Sequence, residues 1–469
     1  MSIFSSPDEA NLGSLNIEPL LPCPPLPNIV AEWTAILPLV CHLAGQRDDY
    51  NTTGDVALMG RLSVGLFPRL GTLSGLARLL DRATKYLDYA STRGGTSRTV
   101  WDVKWGSVFP CANGAACAII SEYLLARNRE PPQRMPETLS SLSKKSGDDK
   151  KCAPQSRFRI RPVFSSFRSG LRCPTSEEEK VNEEGFRRCQ LLHVYRLHRK
   201  PERHSLRARI TQLRLSIPGQ VICFIMLISL TVLLCLFGCF GSGALIACTS
   251  VSELVAIRVP IRRPSTYLKN NETHDACMLT APHENATEWH LYIGDRGIVD
   301  TLLNKPMFTV PEGRSAHLAA RWFWFANVLQ LAAMTFVAAQ KGWDGVMMLA
   351  LLAIHWALQW FSSGQDLACD WLAREGVDAD VRSFEFGGRY AMMGSIQVLG
   401  GSTATRWMDN ILVPHPRREA WLKVLSGEQS TESFGSHDTS WLEYMSEASF
   451  AAAEVLKSAF GVDNCQASV

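Results

Sequence analysis

Residues 203–250 read RHSLRARITQLRLSIPGQVICFIMLISLTVLLCLFGCFGSGALIACTS and join a basic stretch to an apolar one. No Asp, Glu, Lys or Arg occurs in 215–252. An α-helix rises about 1.5 Å per residue, so about 20 apolar residues cross a hydrocarbon core of about 30 Å. The run from Val221 to Phe240 meets that length and lacks the polar stripe that a core helix of a soluble protein keeps. The sequence therefore predicts a transmembrane helix within 219–249, anchored between Val221 and Phe240.

A strongly basic segment precedes this helix. Residues 127–218 hold 22 Lys and Arg against 10 Asp and Glu. Positive flanks face the cytoplasm, and a segment rich in Ser, Pro, Lys and Glu buries too little apolar surface to fold. We therefore predict that 127–218 is a mostly disordered cytoplasmic loop. Because it adjoins the bilayer, its 187–214 portion is expected to contact anionic lipid headgroups rather than nucleic acid.

A polar loop, 250–317, follows the predicted helix. It carries glycosylation sequons at Asn271 and Asn285, and one crossing would place both on the non-cytoplasmic side. Asn51 begins a third sequon, which faces the same side only if two N-terminal spans exist. The loop also holds side chains that could bind metal, but their spacing matches no tight motif, so we expect them to be solvated: His274, Asp275, His283, Glu284 and His290.

Two closely spaced apolar segments predict a transmembrane helical hairpin over 318–363. They are 318–339 and 343–361, with Trp side chains toward their ends and only three residues between them. Polar side chains inside a membrane are costly unless paired, so those of the hairpin are candidate functional groups. They could line a proton or solute path, or they could bond across the hairpin and hold it together. These residues are His355, Asn327, Gln330 and Gln359.

The flanking regions are less regular. We predict that 1–27 is disordered, and it lacks the basic and apolar regions of a cleaved secretory signal. The region 28–126 is expected to be helical, with two further candidate spans at 28–45 and 107–126.

The tail, 364–469, is expected to be a small α+β domain on the non-cytoplasmic side. Two short strands are predicted around Gly387-Gly388, with helices near 416–425 and at the end of the chain. Segment 406–422, RWMDNILVPHPRREAWL, either contributes Asp and His for acid–base chemistry or is a helix start with aromatic side chains packed on the domain.

Three segments carry a resemblance to known proteins: GDRGIVDTLLNKPM, AAQKGWDGVMMLAL and RWMDNILVPHPRREAWL. They resemble stretches of large, uncharacterised multi-pass membrane proteins of fungi, over about 250–425. The resemblance implies a protein class but no activity and no active site.

The sequence thus predicts a mainly α fold: a helical multi-pass protein of the plasma membrane or an endomembrane, with three spans and up to five. No phosphate-binding loop, dinucleotide fingerprint or nucleophile elbow occurs, and no catalytic, metal-binding or cofactor-binding residue is assigned. Three functions stay open: a non-enzymatic scaffold or interaction protein, a transporter or channel subunit using the hairpin, and a membrane-tethered enzyme with its site in the tail.

Overall fold

The computed structural model describes residues 20–21, 24–136, 188–199, 217–264, 266–270, 272–340, 342–361, 364–428 and 435–460. Within them the chain forms a mixed α/β fold, in which fourteen α-helices accompany one seven-stranded sheet. The prediction of a mainly α fold is therefore wrong, because strands from segments far apart in the chain pair into this sheet.

The strands contain two to ten residues and lie between Thr99 and Phe386. In chain order they are β1 (Thr99–Asp102), β2 (Val108–Pro110), β3 (Gln133–Arg134), β4 (Gln190–Arg199), β5 (Ala276–Ala281), β6 (Glu288–Gly294) and β7 (Val377–Phe386). Their order across the sheet is β2-β1-β5-β6-β4-β7-β3. β4 runs parallel to β6 and antiparallel to β7, β3 runs parallel to β7, and the remaining pairs are antiparallel.

The helices have the following bounds: α1 (Asn28–Ala44), α2 (Asn51–Met59), α3 (Thr72–Arg82), α4 (Thr84–Ser91), α5 (Gly114–Arg127), α6 (Ile217–Leu236), α7 (Phe240–Arg258), α8 (Arg296–Leu303), α9 (Arg314–Gln340), α10 (Trp343–Phe361), α11 (Gly364–Arg374), α12 (Arg389–Gly400), α13 (Pro416–Leu425) and α14 (Ser436–Phe460). A single turn of 3₁₀-helix spans Arg406–Met408.

The sheet lies between two layers of helices. Successive side chains of a strand point to opposite faces. On β4, Tyr195 and Leu197 join one buried core with α2, α3, α5, α8, α11 and the first half of α9. Leu192 and Val194 join the other core with α12, α13 and α14. A central strand covered on both faces explains why β4 is buried at six of its ten positions despite its basic surroundings.

The stretch 127–218 is accordingly not one disordered loop. Residues 137–187 and 200–216 lie outside the described residues, but β3 and β4 fall within the predicted loop and belong to the sheet. The predicted span 107–126 is also wrong. Its helix, α5, packs on the sheet, with Ala116, Cys117 and Ile120 buried in the core.

The tail is not a separate domain, because β7 pairs with β4 along its whole length. The strand predicted after Gly387-Gly388 is instead helix α12. The helices predicted near 416–425 and at the end of the chain are present as α13 and α14.

The apolar stretch 219–249 forms two antiparallel helices rather than one. α6 ends at Leu236, Gly238 adopts a φ of 75°, and α7 begins at Phe240. A left-handed glycine just after a helix is a common helix terminator, since glycine has no Cβ to clash. Val221 and Phe240, the predicted ends of one transmembrane helix, thus belong to different helices.

Five apolar helices pack together in a third cluster: α1, α6, α7, α9 and α10. Parts of α7 and α9 also belong to the core that covers the sheet. Among the described residues, α7 and α9 are long and apolar enough to cross a membrane, and the apolar parts of the other three are shorter. In the apolar 18-residue stretch of each helix, 56% of the residues are buried in α7 and 33% in α9. In this cluster the buried Asp344 carboxylate accepts hydrogen bonds from the Gly241 and Ser242 backbone N–H groups at 2.6 and 2.8 Å. These bonds supply acceptors for N–H groups in the first turn of α7, which have no partner within the helix.

Both apolar hairpins leave the sheet and return to it. α6 and α7 lie between β4 and β5 in the chain, and α9 and α10 lie between β6 and β7. β4 pairs with β6 over seven residues, so a single crossing cannot separate 127–218 from 250–317. The predicted opposite-side placement of these two segments is therefore inconsistent with the fold.

Candidate functional site

A row of polar side chains crosses four adjacent strands on the sheet face that α5 covers. Register places His193 of β4 beside Ser383 of β7 on one side and His290 of β6 on the other, and His290 beside Thr280 of β5. We call Ser383, His193, His290 and Thr280 the histidine row. Its members share a face because residues directly opposite in paired strands point the same way.

Ser383, His193 and Glu288 form a continuous hydrogen-bonded arrangement. The His193 Nδ1 lies 2.8 Å from the Ser383 Oγ, and the His193 Nε2 lies 3.3 Å from the Glu288 Oε1. The His193 side chain is buried, whereas that of Glu288 is half-exposed at the start of β6. The hydrogen bond from His193 lowers the pKa of Glu288, while partial burial opposes the shift. A proton on Nε2 would leave Nδ1 free to accept the Ser383 O–H.

His290 is held as a neutral ring. Its Nδ1 lies 3.0 Å from the Tyr195 hydroxyl oxygen, and its Nε2 lies 3.7 Å from the Glu288 Oε1. Burial lowers the pKa of His290 well below its usual value, and the positive charge of Arg98 lowers it further. Burial likewise raises the pKa of Tyr195, so that its hydroxyl stays protonated.

Helix α5 closes this face of the sheet. The Ser121 Oγ of α5 lies 2.9 Å from the Tyr292 hydroxyl, and the Tyr292 ring stacks on Tyr195 with centroids 4.9 Å apart. Two further polar groups are buried here without a hydrogen-bond partner in the described residues: Nε and Nη1 of Arg98, and Oγ1 of Thr280. The histidine row is therefore a buried polar region with unmet hydrogen-bonding capacity, which costs free energy of folding.

The arrangement has the components of an activated nucleophile. Ser383 can transfer its proton to His193, and Glu288 can orient the His193 ring and stabilise its charged form. No group of three or more metal-ligating side chains occurs in the described residues. His290 had been expected in a solvated loop, and it lies instead in the buried strand β6.

Ser383, His193 and Glu288 were not singled out from the sequence, although one signal was present. His193-Val194-Tyr195 and His290-Leu291-Tyr292 repeat the same His-x-Tyr spacing. In parallel strands in register, the two histidines lie side by side, and so do the two tyrosines. A pattern that alternates with period two marks one face of a strand.

Two polar residues of the predicted hairpin, Gln330 and His355, lie beside the loop between α2 and α3. The Gln330 Nε2 donates to the backbone oxygen of Pro68 at 2.7 Å, and the His355 ring lies 6.1 Å from that of Phe67. The His355 Nε2 has no hydrogen-bond partner in the described residues, Asn327 is half-buried, and the side chain of Gln359 lies outside the described part. The expected bonding of His355 across the hairpin is therefore not found.

The predicted sequons have different surroundings. Asn285 is exposed in the turn between β5 and β6, where its side-chain oxygen accepts a hydrogen bond from Arg389 at 3.2 Å. Asn51 is half-buried at the start of α2. Asn271 lies outside the described residues.

Segment 406–422 has the features of a helix start with aromatic side chains packed on the domain. The Arg418 Nη2 donates to the Asp409 Oδ1 at 2.6 Å, and the side chain of His415 accepts a hydrogen bond from the Arg417 backbone N–H at the start of α13. Its two indole rings, those of Trp407 and Trp421, are fully buried.

Comparisons with protein-family models, with curated proteins and with solved structures found no match.

Proposed function

We propose that this chain is an integral membrane protein whose five apolar helices hold one α/β domain against one face of a bilayer, where the domain serves as an interaction module. The observation that carries this proposal is the placement of exposed apolar side chains. Of the 27 large apolar side chains exposed in the described residues, 21 lie on α1, α6, α7, α9 and α10. Soluble monomers rarely expose contiguous apolar patches larger than a few hundred Å², so lipid is the natural cover.

The helix lengths are compatible with insertion. α1 has 17 residues, which corresponds to about 25 Å, and α9 has 27 residues, which corresponds to about 40 Å. A hydrocarbon core is about 30 Å thick, and shorter helices are accommodated by local thinning. Trp33 and Trp324 are exposed on these helices, in keeping with the preference of indole rings for membrane interfaces.

The sheet side is proposed to be cytoplasmic. Much of the basic stretch 127–218 lies between β3 and β4, so the sheet holds both ends of that part on the domain's side. Positive loops stay in the cytoplasm, and the even number of helices in each hairpin returns the chain to that side. Asn51 and Asn285 then face the cytoplasm and stay unglycosylated, in contrast to the sequence-based expectation.

Membrane extraction and glycosidase mapping test this proposal together. The full-length chain should stay in the pellet after alkaline carbonate extraction and show no change in gel mobility after glycosidase treatment. Gly13→Thr creates a sequon at Asn11, which α1 separates from the domain, so this variant should become sensitive to the glycosidase. Release of the wild-type protein into the supernatant would refute the membrane proposal, and glycosylation at Asn285 would reverse the orientation.

A second candidate function is favoured by the arrangement of Ser383, His193 and Glu288. In it, the Ser383 Oγ attacks an acyl carbonyl, its proton passes to the His193 Nδ1 and then to the leaving group, and water releases the acyl group from Ser383. A fluorophosphonate probe reports activated serines. Labelling should be lost in Ser383→Ala and retained in Ser426→Ala, whose serine terminates α13. An unlabelled wild-type protein would exclude this activity.

A further inference from the structure

A large surface cavity lies where the α3–α4 corner meets the start of α9. Its volume is about 1020 Å³, at the upper end of the range of small-molecule sites, about 300–1,000 Å³. Its polar lining comes mainly from six side chains: Arg82, Lys85, Tyr89, Arg314, His317 and Arg321.

The cavity carries an excess of positive charge. Four cations of the cavity form no ion pair within the part of the chain that the structure describes: Arg82, Lys85, Arg314 and Arg321. Two acidic residues, Asp81 and Glu312, also line it, and the Asp81 Oδ1 already lies 3.0 Å from the His317 Nδ1. Four cations against one further carboxylate favour an anionic ligand, and guanidinium groups match phosphate geometry especially well.

The cavity lies at the edge of the exposed apolar surface. Leu318 lines it and is 64% exposed, and Trp324, about two turns further along α9, is equally exposed. Phe325 and Val328 continue the apolar face in the same direction. A ligand bound at the cations would therefore lie next to an exposed apolar surface that continues along α9.

We propose that this cavity binds the phosphate of an anionic phospholipid headgroup while the acyl chains lie along the exposed face of α9. The proposal rests on the membrane location proposed above, because the apolar part of the ligand needs a lipid-facing helix. It also places lipid recognition away from the basic 187–214 segment. Within that segment, Arg196 donates to the backbone oxygen of Phe460, and Arg199 pairs with Asp295 at 3.0 Å, so both are already engaged inside the fold.

Soluble short-chain lipids test the site directly. The full-length protein in neutral detergent would be titrated with dihexanoyl phosphatidic acid, dihexanoyl phosphatidylcholine or inorganic phosphate, and binding followed by intrinsic tryptophan fluorescence. The double variant Arg314→Gln/Arg321→Gln removes two cations of the cavity. Arg258→Gln removes an exposed cation at the end of α7, outside the cavity, and is the matched control.

We expect phosphatidic acid to bind the wild-type protein and the control equally, and to bind the double variant at least about tenfold more weakly, because two charge-assisted contacts are lost. Binding of inorganic phosphate as tightly as phosphatidic acid would show that the site takes free phosphate and overturn the lipid assignment. Equal binding to the double variant, or tight binding of phosphatidylcholine, would also overturn it. These titrations are made in detergent and need no bilayer. A failure of the lipid-binding proposal is therefore distinguishable from a failure of the membrane proposal, which carbonate extraction tests.

Discussion

Acidification should destabilise this protein through His290. The ring is 4% exposed, and burial keeps its pKa well below the usual value of 6.5. In the unfolded chain the same ring takes up a proton near pH 6.5. The unfolded state therefore binds more protons than the folded state below that pH, and the free energy of unfolding falls as the pH falls.

The size of this effect follows from proton linkage. Each pH unit below 6.5 costs about 1.4 kcal/mol while the folded ring stays neutral, so the loss at pH 5 is at most about 2 kcal/mol. Glu288 does not confound this window, because its pKa is lowered from 4.5. Its contribution to stability is complete above 4.5 and is lost only as the pH falls further, through the folded-state pKa.

Thermal unfolding of the full-length protein in detergent, followed by circular dichroism at pH 7.5 and pH 5.0, measures this penalty. His290→Gln removes the titrating ring, so its loss of melting temperature between the two pH values should be smaller than that of the wild type. His274→Gln alters an exposed histidine on the surface and is the matched control, so it should retain the wild-type penalty. If His290→Gln lost as much melting temperature as the wild type, the buried ring would not be the group responsible.

Three further predictions concern packing and charge, and thermal unfolding checks each of them. Gly54→Ala places a Cβ 2.8 Å from the α5 backbone and should cost about 1–3 kcal/mol, whereas Gly95→Ala, with open space around it, should cost little. Asp344→Ala removes an acceptor of charge-assisted hydrogen bonds worth about 1.5–3 kcal/mol each, so it should lower the melting temperature more than Asp344→Asn does. Asp409→Ala leaves the buried Arg418 guanidinium without its carboxylate and should cost about 3 kcal/mol, whereas Arg418→Met, which removes the buried charge, should cost less. The opposite order in either of these last two pairs would contradict the electrostatic argument.

The apolar segments could be located from the sequence, but their arrangement could not. The two helices expected within 318–363 are present as α9 and α10. The stretch 219–249 fails as one helix because Gly238, in a left-handed conformation, turns the chain back. Apolar composition alone does not distinguish one long helix from a tight hairpin.

The sheet could not be predicted because its central strand pairs only with distant segments. The strand around Tyr195 lies among Arg and Lys residues that suggest a solvated loop, and its alternation becomes informative only beside β6 and β7. Helix α5 illustrates the converse error, since its apolar run is covered by the sheet rather than by lipid. The candidate site was missed for the same reason, because Ser383, His193 and Glu288 meet only through long-range pairing.

The chain order of the sheet also has a consequence for biosynthesis. After β4 leaves the ribosome, roughly 90 residues must follow before its neighbour β6 is made, which takes about 5–20 s at ordinary elongation rates. The second neighbour, β7, follows later still, and one hydrophobic hairpin must be accommodated before each of these partners emerges. A nascent β4 would meanwhile present two unsatisfied strand edges, which invites chaperone capture and makes the supply of chaperones a determinant of yield.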